Sequence, residues 1–265
     1  LFNMHKITRH QLTVQGSSFA SDTTDFLTSD SIDFHPTDVL EDADGSLLVV
    51  DTGGWYKLCC PTSQLWKPDV LGAIYRIRPG GTPSLRDPRG IRIPWQSIDT
   101  GQLTDLLSDS RPAVRKKAQS YLVKRGTSSI ASLVSMLKNS PSETGRLEAV
   151  WTLHRFEHNS IARSSIHSAL KDTSQDVRQS ALHSISILRD STAMPALIAL
   201  LDHKSLHNRR AAAQALGRLG DPNAIPHLLE ASATYHDRIM EHALIFAMIE
   251  IQDAREIRTV GCSTS

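Results

Sequence analysis

At 265 residues the chain can hold one large domain or two ordinary ones, and with 40% hydrophobic residues it can bury a core, which excludes wholesale disorder. Lys and Arg number 29 against 28 Asp and Glu, a net charge of +1, which argues against a strongly basic nucleic-acid binder and leaves room only for a local basic face. No apolar run approaches the ~18 residues of a membrane span.

Residues 1–80 have the pattern of strands. β-Rich runs at 5–14 (HKITRHQLTV), 46–51 (SLLVVD) and 72–78 (GAIYRIR) are separated by clusters of Gly, Asp, Ser and Pro. Asp44-Gly45 lies between two such runs and predicts a two-residue hairpin turn with positive φ at both positions. Strand, Asp-Gly turn, strand, loop, strand is the order of a β-propeller blade. One to two blades fit before residue 80, against the ~4–8 that close a ring. Such a partial ring would leave Val49, Ile74 and Tyr75 bare. Residues 51–79 form a long excursion, and ordered loops of that length carry function or an interface. Residues 81–100, anchored by Ile91, Ile93 and Trp95, read as an ordered connector.

Over 101–252 the period becomes helical and the chain repeats itself. Asp190 and Asp221, Ala193 and Ala224, Pro195 and Pro226, and Leu197 and Leu228 are each 31 residues apart. One turn earlier, Asn159, Ala162 and Ile166 take the Asp, Ala and Leu positions. A second ladder runs Arg115, Arg146, Arg178, Arg209, and three residues after each comes Ala118, Ala149, Ala181 or Ala212. The small residues allow close helix contact, and each Arg is expected to reach the inter-helix loop of the previous repeat. Gly220-Asp221-Pro222 spells a helix-ending glycine, an N-cap and a first-turn proline. The pattern predicts an α-solenoid of about five HEAT-like helical hairpins, followed by an irregular tail over 253–265.

Several constellations have a chemical reading. His154-Arg-Phe-Glu157-His158 has inverted zinc-protease spacing, yet it falls at a repeat's end with no third ligand, and 12 histidines make accidental pairs. Asp42-Ala-Asp44-Gly45 is part of a calcium loop without the closing Glu, and a turn explains it. Arg115-Lys116-Lys117, Lys124-Arg125 and Arg209-Arg210 are either a basic stripe for nucleic acid or an acidic partner, or a solvated helix face together with the structural arginine ladder. Cys59 and Cys60 are either two thiols or a vicinal disulfide; three cysteines in all make no disulfide framework. His35-Pro36-Thr37-Asp38 opens a strand, either as a capped strand start or as polar groups at a channel mouth.

FHPTDVLEDADGSLLVVDTGGWYKLCCPTSQLWKPDVLGAIYRIRP resembles the last blade of a family of bacterial membrane-bound dehydrogenase-like, haem-binding proteins. Their propeller is similar to that of quinoprotein glucose and sorbosone dehydrogenases. LRDPRGIRIPW and LLSDSRPAVRKKAQSYLVKRG continue that family's passage into HEAT repeats. The resemblance implies a fragment of a periplasmic or cell-envelope oxidoreductase, not competent for catalysis alone. Its parent would carry a quinone (PQQ-like) and haem c, and its partners would be other blades and a cytochrome c module. It places His35 and Asp38 at a cofactor site, with His where those relatives have Arg, and it favours oxidised Cys59–Cys60. The chain contains no CxxCH, so haem attachment is not carried over. Its opening on Leu1 reads as part of a longer protein. The alternative is a non-catalytic scaffold that binds a protein partner on the solenoid, without nucleic acid. A HEAT-repeat lyase or adaptor would line a concave face with His–Glu pairs, of which 154–158 is the one in evidence.

Overall fold

The computed structural model describes residues 1–53, 69–78, 80–81, 85–234 and 237–261, without the side chains of Phe2 and 252–261. The chain forms two compact units: residues 1–13 with 20–93, and residues 14–19 with 94–265.

The first unit is built on short antiparallel sheets. β1 (Lys6–Gln15) pairs with β2 (Ser18–Thr28) in a two-stranded sheet. β3 (Pro36–Glu41), β4 (Leu47–Asp51) and β5 (Ala73–Ile77) form a three-stranded sheet with β4 in the centre. The central strand has the β-branched residues that suit a pleated, half-buried surface. Val49 faces Val39 on one side and Tyr75 on the other. The Asp42–Ser46 turn is closed by Asp42 N–H to Ser46 O (2.8 Å) and Gly45 N–H to Asp42 O (2.9 Å). Gly45 has φ 79°, whereas Asp44 is not among the residues with positive φ. The expected turn with two positive φ values is therefore corrected to a longer loop that needs one left-handed glycine.

The propeller half of the expected fold class is also narrower in the structure. A blade has four strands and a ring several blades, whereas the described residues give one three-stranded sheet, one hairpin and no ring closure. Strand, Asp-Gly turn, strand, loop, strand is satisfied by any three-stranded meander, which is why the pattern over-specified the architecture. Ile74 and Tyr75 are exposed as expected, but Val49 is fully buried.

The second unit is a stack of helical hairpins, with ten α-helices among the described residues. The first helices of the five hairpins are α1 (Thr100–Asp105), α3 (Ile130–Asn139), α5 (Ser160–Ser168), α7 (Met194–Leu200) and α9 (Ile225–Ala233). The second helices are α2 (Pro112–Lys124), α4 (Glu143–His154), α6 (Gln175–Leu188), α8 (Leu206–Leu219) and α10 (Arg238–Gly261). The second helices lie side by side in chain order, each packed on the next.

The ladders seen in the sequence are the packing code. Ala118, Ala149, Ala181 and Ala212 are fully buried, as are Leu197 and Leu228. Asn159, Asp190 and Asp221 cap the starts of first helices or of the 3-10 turns leading into them, accepting from Ala162, Thr192 and Asn223 N–H. Gly220 ends α8 in the left-handed region at φ 68°, and Arg189 takes the same conformation at the end of α6. At Gly217 a Cβ would stand 2.7 Å from the Ala247 Cα, so glycine sets the approach of α8 to α10. α10 continues to Gly261, past the tail boundary expected near 252. Residues 254–258 (AREIR) are good helix formers that carry no repeat hallmark, so propensity extends the helix where periodicity stops.

Candidate functional site

In the first unit, His35 is held by its own sheet. Its N–H bonds to Asp51 Oδ1 (2.8 Å), and Nδ1 lies 2.9 Å from the Gly53 carbonyl and 3.1 Å from that of Asp33. Asp38 is exposed and accepts from the N–H of Val39 at 2.8 Å. The two share the start of β3 but engage different partners. Cys59 and Cys60, with most of the 51–79 excursion, lie outside the described residues. Asp42 and Asp44 form a charged cluster with arginines rather than a metal loop. Arg76 bonds both carboxylates (2.7 and 3.4 Å) and Arg89 bonds Asp42. Hydrogen bonds from Arg76 to Asp42 and from Ser46 to Asp44 hold both carboxyls below the usual range. No group of three or more metal-ligating side chains occurs among the described residues.

The His154–His158 constellation is not carried on one helix. α4 ends at His154, whose Nδ1 lies 2.8 Å from Ser184 Oγ on α6. His158 lies beyond the helix, fully solvated beside Glu157. Burial, assisted by His183 and Arg155 and opposed by Glu157, pushes the His154 imidazole below its ordinary value.

The arginine ladder has a direction that differs from the expected one. Arg115 donates to the carbonyls of Asp109 and Ser110, Arg146 to those of Ser140 and Pro141, Arg178 to those of Asp172 and Thr173, and Arg209 to that of His203. Each therefore closes the loop of its own repeat, not of the previous one. Helical side chains lean toward the helix N-terminus, and in the second turn that direction is the loop just traversed. The remaining donors point forward along the chain. Arg115 Nε reaches Glu148 at 2.9 Å, and Arg146 takes both carboxylate oxygens of Asp172, at 2.8 and 3.0 Å. Burial would raise the Asp172 carboxyl, but the bonds from Arg146 and Ser174 outweigh it and the net shift is downward.

With the ladder accounted for, a groove remains on the face of the second helices. Between α2 and α4 it has a volume of about 490 Å³, lined by Lys116, Ser120, Lys124, Trp151, His154 and Arg155 among others. Between α6 and α8 it has about 230 Å³, lined by Gln179, His183, Arg210, Gln214 and Arg218 among others. The Trp151 ring joins the two parts, edge-on to His183 at 5.7 Å and to His154 at 6.3 Å. Of the cations singled out from the sequence, Lys116, Lys124 and Arg210 line this groove. Arg115 and Arg209 serve the ladder, Arg125 bonds Thr100 and the Ile98 carbonyl, and Lys117 sits over the Trp95 ring at 4.5 Å. Sequence reasoning missed Trp151, Arg155, His183 and Arg218. Trp151 on α4 and Arg155 at its C-cap, four residues apart, are the signal that could have shown it.

Residues 130–205 and 163–249 match the family model of HEAT repeats. No curated protein matches the chain. Among solved structures, the complex of CpcE and CpcF of phycocyanin lyase from Nostoc sp. PCC7120 is 23% identical over 64% of this chain and 71% of that one, with a TM-score of 0.46. Human deoxyhypusine hydroxylase in complex with glycerol is 19% identical over 58% of this chain and 62% of that one, with a TM-score of 0.43. A designed armadillo repeat protein in complex with peptide (KR)4 is 20% identical over 57% and 81%, with a TM-score of 0.38. The family model and the structures named here give no support to a dehydrogenase, propeller or haem-binding family. The helical part of the chain is a repeat solenoid of HEAT/armadillo-like type, and residues 130–249 of it match HEAT repeats.

Proposed function

We propose that the protein is a non-catalytic interaction scaffold whose docking face is the groove across its second helices. The observation that carries this reading is the row of two hollows along the second helices of four successive hairpins, the first holding the half-buried Trp151 beside Arg155 and the second lined by Arg210 and Arg218. Trp and Arg are the side chains that most often dominate binding energy at protein interfaces. A stack of repeats presents such a surface as one extended face, because each hairpin adds a strip of it. Both supports lie within the solenoid. The dehydrogenase-like reading that the resemblance implied has no family match and, among the described residues, no closed propeller in its favour, and the scaffold reading stands without it.

The experiment is site-specific photo-crosslinking in the full chain. A photoreactive residue at Gln214, within the groove, is expected to give protein adducts in the native host. The same residue at Lys138, on α3, is expected to give none. Equal labelling at both positions, or none at Gln214, overturns the reading.

A further inference from the structure

The described residues that line the groove include five cations, Lys116, Lys124, Arg155, Arg210 and Arg218, and no carboxylate. The whole chain is balanced at +1, so this segregation is local. The Glu148 carboxylate is spent on Arg115 at 2.9 Å and on Gln119 at 2.6 Å. Arg210 Nε is buried with no hydrogen-bond partner among the described residues.

We propose that the groove binds an extended acidic segment of a partner protein, its carboxylates on the groove cations and an apolar side chain against Trp151. The proposal rests on the scaffold reading and adds the chemistry of the partner. The fold also sets the spacing of the charges. Neighbouring helices pack ~8–10 Å apart and an extended chain rises ~3.3 Å per residue, so about three residues carry the segment from one second helix to the next. Cations lie on α2, at the C-cap of α4 and on α8, whereas α6 offers Gln179 and His183. The matching segment therefore has about ten residues, with acidic side chains at its first and fourth positions, a neutral polar one at its seventh and an acidic one at its tenth.

Nucleic acid fits this surface less well. Single-stranded nucleic acid uses successive aromatic platforms, and the groove has one tryptophan.

The test is fluorescence anisotropy on the full 265-residue chain. The probes are a labelled peptide of that acidic pattern, its lysine-substituted counterpart and an oligothymidine of equal length. The acidic peptide is expected to bind at low salt and to weaken as ionic strength shortens the screening length to about 8 Å. Arg210→Glu with Arg218→Glu is expected to weaken it about tenfold or more, and Arg210→Gln with Arg218→Gln to weaken it less. Lys138→Glu with Lys171→Glu makes the same change in net charge at exposed positions off the groove and is expected to leave binding unchanged. Circular dichroism confirms that each variant is folded. Failure of the acidic peptide to bind, equal weakening by both Glu pairs, or tighter binding of oligothymidine overturns the proposal. Adducts at Gln214 in the crosslinking experiment, with no binding of the acidic peptide, would leave the scaffold reading standing and remove only the acidic partner.

Discussion

Six residues before each ladder arginine stands a side chain that accepts from the backbone two residues on. Asp109 accepts from Arg111 N–H, Ser140 from Ser142, Asp172 from Ser174 and His203 from Ser205, at 2.8, 3.1, 2.8 and 2.9 Å. Asp172 also answers the preceding repeat's arginine. His203 cannot match a carboxylate there, and Ala211 stands where Glu148 stands two repeats earlier, so Arg178 Nε is buried without a partner among the described residues. His203→Asp is expected to stabilise the solenoid by roughly 1 kcal/mol, which a denaturant titration reads directly. The pH profile gives an independent check. Burial, with Arg178 and Lys204 adding to it, pushes the His203 imidazole below its ordinary value. The neutral ring is the form that accepts from Ser205, so its contribution is complete above ~6.5 and is lost as pH falls through the depressed folded value. Thermal scans of the native chain are expected to show that acid loss, and His203→Asp is expected to move it down toward the carboxylate range. This position escaped sequence reading because its chemistry changes from Asp to Ser to Asp to His while its geometry stays the same. The arginine and alanine ladders, identical at every rung, were legible.

At the level of the helix, the repeat hallmarks were readable because burial fixes them. Ala212 is fully enclosed where α8 packs on α6, α7 and α10. Ala212→Leu is expected to destabilise by about 1–3 kcal/mol through overpacking, measured as a drop in the urea midpoint with little change in m. The same change at Ala199, exposed on α7, is expected to fall within ±0.5 kcal/mol. The groove was harder to foresee. Its lining comes from four helices about thirty residues apart in sequence, and no short window contains more than one strip of it. β2 was missed for a different reason. Ser18–Thr28 is polar and mostly exposed, so pairing with β1, rather than apolar alternation, makes it a strand.

Over the whole solenoid, contacts run from each hairpin to its neighbours, so stability is expected to be graded rather than uniform. Hydrogen exchange followed by mass spectrometry should find the α4 and α6 amides, flanked on both sides, more protected than those of α1. Uniform protection from α1 to α8 would count against nearest-neighbour stability. The forward-pointing ladder has one more consequence, for synthesis. Arg115 and Arg146 each close their own loop at once, yet both wait for a carboxylate that lies in the following repeat. As the chain leaves the ribosome, the second hairpin completes the first and the third completes the second, so at these two seams the unfinished edge is the younger one. The array is thus assembled like courses of brick laid from one end, and premature termination would leave its last course unbonded where loss of an early one would not.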